Sequence, residues 1–171
     1  MNAKIRLGRR EIAFLLVFLS TGVTMAGCQS QASGFLKKQF LTYQKVAILP
    51  FEGDQTGDVS QNFVLSFKEK FPQMEVFDQY RLLQIFSRED LYPDQLSQET
   101  RLKIGQVLGA QAVVVGSVYY PSITNWYLQV RVIDAQSGET IGTSYVQMQN
   151  MGAEGAMQAC RLAVQQLTPR D

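Results

Sequence analysis

The stretch IGQVLGAQAVVVGSV, residues 104–118, decides the fold. It opens as the end of a helix, and Gly109 sits where a helix wants a residue able to take positive φ. The unbroken apolar run Ala112–Val118 follows at once. A run of that length without alternation predicts a strand buried on both faces, and so a sheet with cover on each side.

Going outward toward the carboxyl end, PSITN (121–125) is a turn, and WYLQVRVIDA (126–135) then alternates. Leu128, Val130 and Val132 share one face, while Gln129 and Arg131 share the other. QSGE makes the next turn, with Gly138 at the position that needs positive φ. TIGTSYVQMQ is a third strand of this meander. GAEGAMQACRLAVQQL follows as a helix with Met157, Cys160, Ala163, Val164 and Leu167 facing inward.

Going outward toward the amino end, YPDQLSQETRLKIGQVLGA holds the helix that Gly109 closes, with Ser97 and Thr100 as an incomplete capping box. QYRLLQIFSRED forms another helix, with Leu82, Leu83 and Phe86 as its apolar set. MEVFD after Pro72 is a short strand. VSQNFVLSFKEKF repeats Val59, Phe63, Phe67 and Phe71 every four residues, an amphipathic helix that Asp58 is placed to cap. KVAILPF (45–51) is a buried strand, FLKKQFLTY (35–43) a short helix with Phe35, Leu36 and Phe40 on one side, and QSQASG (29–34) a small polar linker. The order β-α-β-α-α-β-β-β-α predicts an α/β (α+β) domain, one mixed β-sheet with helices on its faces, over residues 45–171.

Composition narrows the function classes. The chain has no histidine, which removes the usual general base and the commonest metal ligand. Two cysteines make no disulfide framework. Net charge is +1, but Lys4, Arg6, Arg9 and Arg10 are gathered at the start, and the remainder carries about −2. A near-neutral body without a basic patch argues against a nucleic-acid partner.

The basic start leads into IAFLLVFL and then into small residues, the tripartite order of a secretory signal. Ile12–Gly27 is 16 residues with three hydroxyls, short of the about 20 apolar residues that a spanning helix needs. Met25-Ala26-Gly27-Cys28 resembles the bacterial lipobox. That resemblance implies a signal peptide over 1–27, cleavage between Gly27 and Cys28, and a thioether to diacylglycerol on Cys28. The product would carry several acyl chains, palmitate among them, firm enough to anchor it. Met25 stands where leucine is commoner but keeps the apolar bulk. Gln29 in place of aspartate implies, by the enteric sorting rule, the outer membrane with the domain facing the periplasm. Residues 28–44 would then be an acylated linker. Its 17 residues from Cys28 to Lys45 reach at most about 60 Å.

VAILPF, VFDQYRLLQIF, IGQVLGAQAVVVGSV and LQVRVIDAQSGETIG follow one another as in a known group. In order and spacing the body resembles the domain shared by CsgG-type export lipoproteins and the amino-terminal domain of TolB, a group to which LpoB- and PelC-type envelope lipoproteins are similar. The likeness spans about residues 45–167, and its blocks are largely fold signals. It implies a non-enzymatic envelope protein without cofactor. One expected role is a structural or accessory subunit, a ring among them, in an export or assembly system. The alternative is an LpoB-like regulator docked on a peptidoglycan synthase or other envelope enzyme. No strand is left over for a membrane-crossing hairpin, and the short linker favours the membrane-proximal role over the regulator.

Candidate chemistry is sparse. Glu89, Asp90 and Asp94 are letters that a polar inter-helix loop supplies far more often than a catalytic pair. GAEGA (152–156) precedes a helix, where glycines make the bend more often than an anion site. Cys160 on an apolar helical face reads as a small core residue. Tyr119, Tyr120, Trp126 and Tyr127 crowd both sides of one turn. They are either core or an exposed tip meeting headgroups, protein partners or a second copy of the chain. No catalytic residue, metal ligand or cofactor site is expected.

Overall fold

The computed structural model describes residues 31–77, 82, 97–122, 125–148 and 152–170. Glu89, Asp90, Asp94, Leu83, Phe86 and the whole of the signal and lipobox, Cys28 included, lie outside them. A single mixed sheet of seven strands carries the fold. In chain order the elements are β1 (Gln31–Lys37), a 3-10 turn (Lys38–Thr42), β2 (Lys45–Ile48), α1 (Asp58–Lys70), β3 (Glu75–Phe77), α2 (Gln98–Val107), β4 (Ala112–Tyr119), β5 (Trp126–Asp134), β6 (Thr140–Met148), α3 (Ala153–Gln166) and β7 (Pro169–Arg170). Across the sheet the order is β3-β2-β4-β5-β6-β1-β7. β2 pairs in parallel with both β3 and β4, whereas β4, β5, β6 and β1 form an antiparallel run.

The expected central strand is there. Ala112–Val115 are buried, Val114 against the α1–α3 side and Val113 and Val115 against Leu49, Leu82, Ile104 and Ile133 on the other. Helices α1 and α3 fill the first side. Val59, Phe63, Phe67 and Phe71 are buried as their spacing predicts, and Phe40 packs edge to face on both Phe67 and Phe71, whose own rings are tilted at 46°. The two helices run in the same sense. Cys160 Sγ donates to the Val59 carbonyl at 3.3 Å, near the start of α1. Lys70 at the end of α1 donates to the carbonyls of Val164, Gln165 and Leu167 at 2.9–3.2 Å, satisfying acceptors that the end of α3 leaves open. Burial lowers the Lys70 pKa.

Three expectations are corrected. The linker and the helix expected over 29–44 give way, from Gln31 on, to the strand Gln31–Lys37, paired with β6 from Gln31↔Gln147 to Leu36↔Gly142, and the helix is confined to a 3-10 turn at Lys38–Thr42. Leu36 and Phe40 are buried, but Phe35 lies on the outer face of the sheet. Asp58 does not cap α1. Asp54 does so from the preceding loop, accepting from Gly57 N (3.1 Å), Ser60 N (2.7 Å) and Ser60 Oγ (2.7 Å). Met157 is 38% exposed, at the border of α3, while Cys160, Ala163, Val164 and Leu167 are buried as expected. Ser97 does cap α2, accepting from Thr100 N, and Gly109 and Gly138 hold φ of 65° and 73°.

At the end of the sheet where β2 and β4 begin, Tyr43 donates a short hydrogen bond to Asp134, which also accepts from Gln136 N, Ser137 N and Ser137 Oγ in the β5–β6 turn. Burial, the Asp134 hydrogen bond and the Asp134 charge push the Tyr43 hydroxyl up from 10.0 to about 12. For Asp134 burial acts upward, but the donors from Tyr43, Ser137 and Gln136 outweigh it and lower its pKa. Both groups therefore tie stability to pH, in opposite directions. Tyr43 keeps its proton in the native state above pH 10, where the unfolded state has lost it, so stability falls as pH rises from 10 toward about 12. Asp134 stabilises above its unfolded pKa, and that contribution is lost as pH falls through the lower native value. Tyr43→Phe is expected to cost about 1 kcal/mol at neutral pH for the lost, half-exposed hydrogen bond. It should also flatten the alkaline limb of a denaturation series against pH. An unchanged alkaline limb would show that the bond does not form in solution.

Candidate functional site

The amino end of β1, the carboxyl ends of β4 and β6 and the amino end of β5 lie at one end of the sheet. Register fixes this, since Gln31 pairs with Gln147, Gln147 with Tyr127, and Tyr127 with Tyr119. The four aromatics singled out in the sequence meet here, but they do not share one environment. Trp126 is 2% exposed on the inner face, in phase with Leu128 and Val130. It has no surface to offer a partner, so its place among the interface residues is corrected: strand parity turns it under the helices. Tyr119 (52% exposed) and Tyr120 (51% exposed) are at the surface, and Tyr127 is half-buried. Tyr119 points to the outer face beside Tyr127, and Tyr120, one residue on, stacks on Trp126 with ring centroids 6.4 Å apart. Tyr127 stacks on Tyr145 at 5.6 Å, and Tyr145 is partly exposed.

A groove of about 640 Å³ opens at the same end, lined by Asp54, Thr56, Asp58, Asn62, Tyr120 and Gly152 among others. Burial and the Asp54 charge raise the Tyr120 pKa. Asp54 is engaged in capping α1, and among the described residues no three of His, Cys, Asp or Glu are close enough to hold a metal ion. A second cavity, about 380 Å³, lies at the opposite end, and the hydrogen-bonded Tyr43 and Asp134 form part of its wall with Gln111. Cys160 is fully buried. Burial, with a smaller effect of the Asp54 charge, pushes its thiol up from 9.0 to about 12, so it is no nucleophile. Among the described residues no helix is long and apolar enough to cross a membrane.

No protein-family model matches this chain, and no curated protein does. Solved structures do match. The fold is similar to that of PelC. The PelC dodecamer from Paraburkholderia phytofirmans superposes with a TM-score of 0.56 at 11% identity, over 84% of this chain and 100% of PelC. Lipoprotein GNA1162 from Neisseria meningitidis gives 0.52 at 15% identity, over 67% of this chain and 90% of that one. The LpoB carboxyl-terminal domain from Salmonella enterica gives 0.51 at 15%, over 63% and 83%. At these identities the likeness to PelC, GNA1162 and LpoB is one of fold. Of the sequence blocks that pointed to a PelC- and LpoB-like domain, the two most specific are the helix end, buried strand and hairpin turn seen in α2, β4 and β5–β6.

Proposed function

We propose that this chain is a lipoprotein anchored at the outer membrane through Cys28, whose periplasmic domain is a non-enzymatic accessory subunit of an envelope export or assembly system and closes into a homo-oligomeric ring. The observation that carries this reading is the position of β1. The folded domain starts at Gln31, three residues after Cys28, instead of at Lys45. Three residues reach about 10 Å at most, against the about 60 Å of the expected linker. Every copy is then held at one height beside the bilayer, which raises the effective concentration for lateral contact. The fold shared with PelC, a protein crystallised as a dodecamer, supports closure of that contact into a ring. The fold shared with LpoB supports the regulator as the second reading, but a regulator that must reach across the periplasm needs a tether longer than the three positions from Cys28 to Gln31.

Mass photometry of the acylated protein in detergent, with cross-linking in nanodiscs, tests the reading. A discrete oligomer of more than two copies is expected. A strictly monomeric protein at membrane-like densities would overturn the ring and favour the regulator.

A further inference from the structure

We infer that the β4–β5 end of the domain rests in the headgroup layer of a zwitterionic bilayer, with Tyr119 and Tyr120 as its contact residues. The inference builds on the acylation of Cys28 in the reading above and adds to it an orientation and a surface.

The argument starts from register. Gln31, the first residue of β1, lies in one row with Gln147, Tyr127 and Tyr119. The anchor and the exposed tyrosines are therefore at the same end of the sheet. Only Gln29 and Ser30 separate Gln31 from Cys28, a step of three positions. Whatever path they take, an acylated Cys28 holds this end within about 10 Å of the bilayer surface.

The exposed surface at this end has the chemistry of an interface. Tyr119, Tyr120, Pro121 and Ser122 are all exposed and uncharged. The two tyrosines project to opposite sides of the sheet end, Tyr119 outward and Tyr120 onto Trp126. Buried Trp126 thus backs Tyr120 with a rigid apolar ring while the phenol stays at the surface. A tyrosine with an apolar body and a polar tip is the side chain favoured where hydrocarbon gives way to water.

Charge selects the lipid. Glu52, Asp54, Asp58 and Glu154 belong to the loops and helix starts of this end. Lys37 and Arg170 pair at the far end of the sheet, and Lys45 begins β2 there. Among the described residues the anchored end presents these four carboxylates, whereas at the remote end Lys37 and Lys45 are offset by Glu139 and Glu75, so a negatively charged leaflet would repel the anchored end. A zwitterionic headgroup layer is the surface that accepts both the tyrosines and the carboxylates.

The test places single nitroxide labels on the full-length protein processed in cells, using Tyr119→Cys, Tyr120→Cys and Val107→Cys. Val107 is exposed at the end of α2, which leads into the start of β4 at the remote end. Buried Cys160 does not take the label. Mass spectrometry of each mature protein reports acylation at Cys28 separately, so a missing acyl group sinks the anchor, and this inference with it, before any label is read. On acylated protein in vesicles of phosphatidylethanolamine and phosphatidylcholine, labels at 119 and 120 are expected to collide several-fold more with oxygen than with a nickel chelate, relative to 107. Adding phosphatidylglycerol should shrink that difference. Acylated protein whose labels at 119 and 120 match 107 would overturn the inference. So would labels shielded from both probes, which would mean that protein covers this end.

Discussion

Trp126→Ala is expected to destabilise the domain by about 3–5 kcal/mol, the cost of truncating a fully buried large aromatic. At the size of this domain that is a fall in Tm of roughly 10–20 °C. The indole lies on the inner face in phase with Leu128 and Val130, opposite Met148 on β6, and carries Tyr120 stacked on its ring. Removing it opens a cavity at the end of the sheet where α3 starts and takes the support from an exposed tyrosine. Urea denaturation should show a lower midpoint with an unchanged slope. A folded variant within about 1 kcal/mol of the parent that fails to assemble would return Trp126 to the surface.

Cys28→Ser is expected to have the largest effect on location. Without the thiol no thioether to diacylglycerol forms. The about 0.8 kcal/mol that each buried CH₂ contributes is then lost along every acyl chain. The variant should retain its first 27 residues or leave the membrane, as immunoblots of fractionated cells would show. A mature-sized product still in the outer membrane would rule out the anchor.

Much of the fold was legible because it is written in long, periodic signals. The run Ala112–Val118, the alternation from Leu128 to Val132 and the four-residue recurrence of Val59, Phe63, Phe67 and Phe71 each state a burial pattern directly. β1 was hidden because QASGF has little β-propensity of its own. Its strand character comes from the edge that β6 offers, and from Gly34, where a Cβ would lie 2.5 Å from the Thr143 carbonyl oxygen and 2.9 Å from Gln166 Cβ. Only a residue without a side chain lets β1 slide between β6 and the end of α3, a fact of tertiary packing that no local pattern carries. β7, at two residues, is below any sequence signal.

The aromatic end was half legible. The cluster at one turn marked the place, but the four rings were taken together. The signal that separates them was present: the period of two running back from Val132 through Val130 and Leu128 lands on Trp126, which sets it inside. The Asp54 cap had no such signal. Its carboxylate bridges a loop to a helix through Ser60, whose hydroxyl also accepts from Phe51 N at 2.9 Å.

The place of β1 in the sheet also fixes an order of events in folding. The first described strand pairs with β6, and Lys37 and Glu139 meet across 102 positions of chain. Closing a loop of that length costs about 4 kcal/mol in chain entropy before any contact repays it. In a polypeptide exported amino terminus first, β1 emerges before every other element and waits for a partner that emerges near the end. Until β6 arrives, β1 is a strand with no sheet to join. The first strand to be made is thus the one whose docking must come late.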